Sequence, residues 1–252
     1  MIKWLKFIFL LFKHGKCEKY LSAYDSKSTT SGWKHSVLTI PYLGYFLYQL
    51  KYILFHNASK RARYLEPPNA DFIYYRIPKT GSTSLIKYLL EKYYDFNLSG
   101  NSGDINNIAD KKLSVIVRNP ERNLITVIRH PKERFISAYT NISESSDPYV
   151  LKNYLFEILP KGLEINEVLK RMTLIPKRLL DDHFQSQSYL IDMAFKLPQV
   201  YKIEEGLQKL PIIDADRFTF PRLNVSNKKN SLSSDSEKIL KTYYKQDFDR
   251  WY

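Results

Sequence analysis

Residues 74 to 90, YYRIPKTGSTSLIKYLL, place a lysine, a glycine and four hydroxyls between two apolar runs. The first run reads as a strand and the second as a helix, so the turn at 78–84 opens a helix. The first N–H groups of a helix lack intrahelical partners and its dipole favours negative charge there. Gly81 lets the backbone approach a ligand, Lys79 adds a mobile cation, and Thr80, Ser82, Thr83 and Ser84 add hydroxyl donors. These types in this order make a cradle for a phosphate or a sulfate. The alternative is a capped surface helix with a chance lysine. The turn is not a Walker A loop, because Lys79 precedes the only glycine, and no Gly-x-Gly-x-x-Gly occurs.

A second junction lies at TVIRHPKERFISAY, residues 126–139. A strand ends at Arg129, and Pro131 sits at a first helical position. Ser137 follows Arg129 by eight residues, one to two turns into the helix, where both can share one ligand. Two anion sites in this order resemble a bipartite nucleotide site, with a cradle for a 5′ group and an Arg/Ser clamp for a 3′-phosphate.

The elements that must carry these junctions follow from periodicity. FIYYRI (72–77), LSVIV (113–117), LITVI (124–128) and QVYKI (199–203) read as strands. Residues 82–94, 131–139, 164–172 and the terminal stretch SSDSEKILKTYYKQDFDRWY read as helices, the last capped by Ser or Asp. NLSGNSGDINN (97–107) reads as a loop. Strands alternating with helices predict an α/β fold, a P-loop-like, mainly parallel sheet flanked by helices.

The two motifs together resemble the PAPS-dependent sulfotransferases, and within them the membrane-linked, Golgi-type carbohydrate sulfotransferases. In that resemblance PKTGSTS corresponds to the 5′-phosphosulfate loop and RHPKERFISAY to the 3′-phosphate motif, with His130 where aspartate is commoner. DDHFQSQSYLI (181–191), YKIEEGL (201–207), RLNVS (222–226) and YYKQDFDRWY (243–252) are similar to later signatures, so the likeness covers residues 72–252. It implies 3′-phosphoadenosine 5′-phosphosulfate as co-substrate, no metal, and a carbohydrate hydroxyl as acceptor. Lys79 would stabilise the leaving phosphate, the N–H groups from Thr80 to Ser84 would hold the 5′-phosphate, and Arg129 and Ser137 the 3′-phosphate. His183 is the candidate base, with Asp181, Asp182, Glu204 and Glu205 as alternatives, and His130 is expected to orient the nucleotide loop.

Composition bounds the rest. The chain has 252 residues, enough for one large domain or a domain with an appendage. Its formal charge is +13, of which +8 falls within residues 1–70. A basic, aromatic-rich N-terminal region favours anionic partners, and a membrane surface is expected rather than nucleic acid. WLKFIFLLF (4–12) and VLTIPYLGYFLYQLKYILF (37–55) are interrupted by Lys6 and by Pro41, Gln49 and Lys51. They are expected to lie on a membrane as interfacial helices, the alternatives being that 37–55 spans it or that both pack on the catalytic core. The two prolines at 67–68 set the expected boundary between a helical, membrane-associating extension (1–68) and a sulfotransferase domain (69–252). The single cysteine, Cys17, excludes an intramolecular disulfide and any Cys/His metal cluster. The expected place is the cytoplasmic face of a membrane, with a Golgi membrane as the eukaryotic alternative. Two rival functions remain: a non-catalytic polyanion-binding module, and a nucleotide-dependent kinase of related topology.

Overall fold

The computed structural model describes residues 5–7, 9, 62–98, 102–144, 159, 162–214 and 230–252. The chain falls into two compact units: residues 1–58, 139–181 and 232–239 form one, and residues 59–138, 182–231 and 240–252 the other. The second unit contains the whole sheet.

Four strands lie side by side in the order β1 (Tyr64–Leu65), β2 (Phe72–Tyr75), β3 (Asn123–Ile128) and β4 (Gln199–Lys202). β1 pairs antiparallel with β2, whereas β2–β3 and β3–β4 are parallel, with Tyr75 opposite Thr126 and Ile128 opposite Lys202. The fold is therefore mixed α/β with a mostly parallel sheet. Parallel strands buried on both faces must be apolar at every position, which is why FIYY and LITVI run without polar interruption apart from Thr126. Alternate side chains go to opposite faces. Phe72, Tyr74, Ile125 and Val127 join Leu85, Ile86, Leu89 and Leu90 on one face. Ile73, Tyr75, Leu124 and Ile128 join Leu190 and Ile191 on the other. Thr126 stays satisfied inside by donating to the Tyr75 carbonyl at 2.8 Å.

Among the described residues the longer helices after β1 are α1 (Ser82–Tyr94), α2 (Ser102–Lys112), α3 (Pro131–Glu144), α4 (Ile165–Leu174), α5 (Gln187–Ile191), α6 (Ser234–Tyr243) and α7 (Lys245–Trp251). In the first unit α4 buries Ile165, Val168, Leu169 and Met172 along one stripe. Ser233 caps α6, its Oγ accepting from Ser236 N at 3.2 Å.

Three expectations are corrected. Much of the loop expected over 97–107 is helix α2, with Asp104 in its first turn and Lys111 and Lys112 in its last. Its apolar stripe is Ile105 and Ala109, buried on α1's side of the sheet with Ile108 half-buried beside them, too thin to show against the Asn and Gly around it. LSVIV (113–117) is not a strand. Ser114 makes one antiparallel bridge to Tyr64, and then its hydroxyl both donates to Ile116 O at 2.7 Å and accepts from Ile116 N at 3.0 Å. That local loop replaces ladder bonds and leaves Ile116 74 % exposed. The terminal helix breaks at Tyr244, whose hydroxyl donates to the buried Phe184 carbonyl at 2.7 Å. Segment 37–55 lies outside the described residues. Of 4–12, Leu5, Lys6, Phe7 and Phe9 are described, and they are helical. No helix among the described residues is long and apolar enough to cross a membrane.

Candidate active site

Because β2, β3 and β4 are parallel, their carboxyl ends share one edge of the sheet, where open α/β sheets bind ligands. The turn from β2 to α1 lies there. Lys79 and Gly81 both adopt positive φ, 68° and 75°. A lysine has no local side-chain compensation for this conformation, and such strain concentrates at functional turns. Thr80 is buried and donates to the Ile77 carbonyl at 2.9 Å, which pins the turn to the strand end. Its hydroxyl is thereby engaged within the loop, and its backbone N–H is what it can offer a ligand. No side chain caps α1. Ser82 and Ser84 are buried and Thr83 is half-buried.

Gly81 has a second constraint besides φ. A Cβ there would lie 2.6 Å from Ile203 Cδ1, the residue just past β4. Gly81→Ala is therefore expected to lower stability by about 2 kcal/mol, combining left-handed strain with a forced shift of Ile203. Thermal or urea denaturation checks this; an unchanged midpoint would show that the turn relaxes freely.

The second strand end holds Arg129 and His130. Both are half-buried. The Arg129 main chain is gripped by Gln187, whose Oε1 accepts from Arg129 N at 2.8 Å and whose Nε2 donates to Arg129 O at 2.7 Å. His130 N donates to Glu204 Oε1 at 2.6 Å, and its ring meets those of Phe248 and Tyr252 edge-on at 5.5 and 5.1 Å. The other Glu204 oxygen accepts from the Tyr252 hydroxyl at 3.0 Å. Glu204 thus accepts on both oxygens and links His130 to Tyr252. Ser137 is half-buried further along α3.

Arg134, 1 % exposed, joins the cradle to the stretch containing His183. Its Nε donates to Pro78 O at 2.9 Å, Nη1 to Gln185 O at 2.6 Å and Nη2 to Asp182 O at 2.7 Å. One guanidinium therefore holds the carbonyl just before Lys79 and two carbonyls flanking His183. The His183 side chain is 33 % exposed, and its Nδ1 lies 3.5 Å from the buried Asp182 carboxylate, whose other oxygen pairs with Arg63 at 3.1 Å. β1 runs antiparallel to β2, so Arg63 also falls at the ligand edge.

The electrostatics of the edge are positive. Burial, then the charges of Arg129, Arg134 and Arg76, push the Lys79 ammonium down to about 8. Burial likewise lowers Arg134. The structure thus brings Lys79, Thr80, Gly81, Ser82, Thr83 and Ser84 into one turn and sets Arg129 close enough for its charge to act on Lys79. Arg134 ties His183's neighbours to the same turn. Sequence reasoning noted Arg134 and Gln187 only as motif members and did not find their anchoring roles, nor that of Asp247. Asp247 is fully buried, and its carboxylate accepts from Gln187 N at 2.8 Å and Ser188 N at 2.7 Å.

The Lys79–Gly81 turn at one strand end and the basic Arg129 link at the next lie together at the carboxyl edge of an open α/β sheet, the edge where such sheets bind ligands. The comparison with protein families bears on the reaction. The model of the sulfotransferase family matches residues 63–173, a span running from β1 to α4 that includes Lys79, Arg129 and Ser137 and stops before His183. The match makes the protein a transferase enzyme and supports sulfuryl transfer as its reaction. No curated protein and no solved structure matches the chain.

Proposed function

We propose that the protein transfers the sulfuryl group of 3′-phosphoadenosine 5′-phosphosulfate to a carbohydrate hydroxyl at a membrane surface on the cytoplasmic side. The observation that carries this is the position of Lys79. It is held in a strained turn at a helix start, where burial first, and then the charges of Arg129, Arg134 and Arg76, lower its pKa. Such a setting fits a ligand with several negative charges, one group at the cradle and another at the next strand end.

Each residue then has a role. The α1 N-terminus and the Gly81 turn hold the 5′-phosphate. Arg129 and Ser137 hold the 3′-phosphate, the group that separates this donor from ordinary adenine nucleotides. Lys79 donates to the oxygen that bridges sulfur and phosphorus, so that negative charge growing on the leaving phosphate meets a fixed cation. His183 accepts the acceptor hydroxyl's proton at Nε2, while Asp182 faces Nδ1 and sets the tautomer. The acceptor oxygen forms the new S–O bond as the bridging S–O bond breaks. The products are the sulfate ester and 3′,5′-adenosine bisphosphate. The basic N-terminal region, +8 over residues 1–70, supports an anionic surface or acceptor.

Calorimetric titration with 3′,5′-adenosine bisphosphate and with 5′-AMP tests the donor assignment. The expected result is tighter binding of the bisphosphate by at least an order of magnitude, lost in Arg129→Ala. Equal or absent binding of both nucleotides by folded protein would sink the reading and bring a polyanion-binding module to the front.

A further inference from the structure

We infer that Gln187 and Glu204 are positioning residues that aim Arg129 at the 3′-phosphate; the inference rests on the donor assignment above. Arg129 and His130 form the short link between β3 and α3 and lie outside both. Such a link would ordinarily adapt to solvent, since only the His130 carbonyl, which accepts the first bond of α3, is tied to a neighbouring element's own ladder. Here every one of them is fixed. Arg129 N and Arg129 O are both bonded to Gln187. His130 N is bonded to Glu204, and His130 O accepts from Arg134 N at 2.9 Å.

The two side chains that do the fixing are themselves held. Gln187 is fully buried, and its own N–H donates to the buried Asp247 carboxylate, as does the next N–H of α5. Glu204 lies two residues past the end of β4 and is braced by the Tyr252 hydroxyl. Three segments distant in the chain thus converge on one dipeptide. A hydrophobic core would hold α3 in place without them. What they add is a fixed direction for the Cα–Cβ bond of Arg129. A bidentate guanidinium–phosphate contact needs that direction, because misorientation breaks both of its hydrogen bonds at once.

The same calorimetric pair of nucleotides tests this in Gln187→Ala, Glu204→Ala and Glu204→Gln. Both alanine variants are expected to lose about tenfold of the preference for 3′,5′-adenosine bisphosphate over 5′-AMP, with 5′-AMP affinity held within about twofold. Glu204→Gln keeps a carbonyl oxygen for His130 N and is expected to retain the preference. A general loosening of the fold would weaken both nucleotides alike, and that outcome overturns the inference. So does an unchanged preference in both alanine variants. Should Gln187→Ala fail to fold, the Glu204 pair decides alone, since Glu204 is exposed and its loss leaves the core intact. A wild type without the preference defeats the donor assignment itself, whereas a wild type with it and variants unchanged defeats only the positioning role.

Discussion

Arg134→Met is expected to lower the stability of the protein by about 3 kcal/mol, the largest effect on stability predicted here for a single change near the site. The guanidinium's three nitrogens donate to three carbonyls, of Pro78, Asp182 and Gln185, within a region it leaves almost no access to. Methionine fills similar volume, so the change creates little cavity. It removes a charged donor from each buried carbonyl, at about 1.5 kcal/mol apiece. The desolvation of the charge itself, seen in its lowered pKa, offsets part of the loss, because methionine has no charge to strip of water. Arg134→Lys is no rescue. An ammonium cannot span three carbonyls in the plane of a fork, and it remains a buried cation. Chemical denaturation followed by circular dichroism checks both variants. A lysine variant as stable as the wild type would show that charge, not fork geometry, is what matters. The effect reaches function too, because the carbonyls released lie on either side of the proposed acid–base and phosphate-binding groups.

The parts of this fold that were legible in the sequence are those set by local pattern. β2 and β3 are buried on both faces, so their apolar runs are unbroken and conspicuous. α3 begins with a proline at its first position and α1 follows a glycine in a left-handed conformation. The cradle could be read because its chemistry is carried by adjacent residues. The parts that could not be read depend on contacts far apart in the chain. Gln187 bonds Arg129 across 58 positions, and Asp247 bonds Gln187 across 60. No spacing rule announces a carboxamide whose task is to hold another residue's main chain. The errors have the same origin. LSVIV has the composition of a strand, but a serine hydroxyl closing on Ile116 ends the pairing after one bridge. α2 has the composition of a loop, but Ile105, Ile108 and Ala109 pack into the core beside the sheet. A local pattern states what a segment prefers, and packing decides which preference is met.

Lys79→Met is expected to do two opposite things: lower turnover by about 10²–10³-fold and raise stability by about 2 kcal/mol at pH 7. The stability gain follows from the lowered pKa. In the unfolded chain the ammonium titrates near its ordinary value of 10.5, and in the folded protein at about 8. Below pH 8 both states are protonated and the folded state carries the full cost of a desolvated charge among arginines. Between pH 8 and about 10.5 the unfolded chain binds the extra proton, so stability rises with pH through that window. Methionine removes the cost at every pH and flattens the rise. The same protonation governs binding. A polyanion seated in the cradle favours the charged ammonium, so binding takes up a proton once the free protein has begun to lose it. Affinity for 3′,5′-adenosine bisphosphate should therefore be level below pH 8 and fall above it, by up to tenfold per unit, in the wild type and not in Lys79→Met. Titrations in buffers of different ionisation enthalpy would register the proton uptake directly. Both signatures belong to a cation placed where the fold is harmed by it and the ligand is not. A variant that loses turnover with no change in stability or in pH dependence would place Lys79 in solvent, and the leaving-group role would pass to another of the basic groups at the strand ends. Stability given up at one residue for transition-state charge is the trade that active sites commonly make.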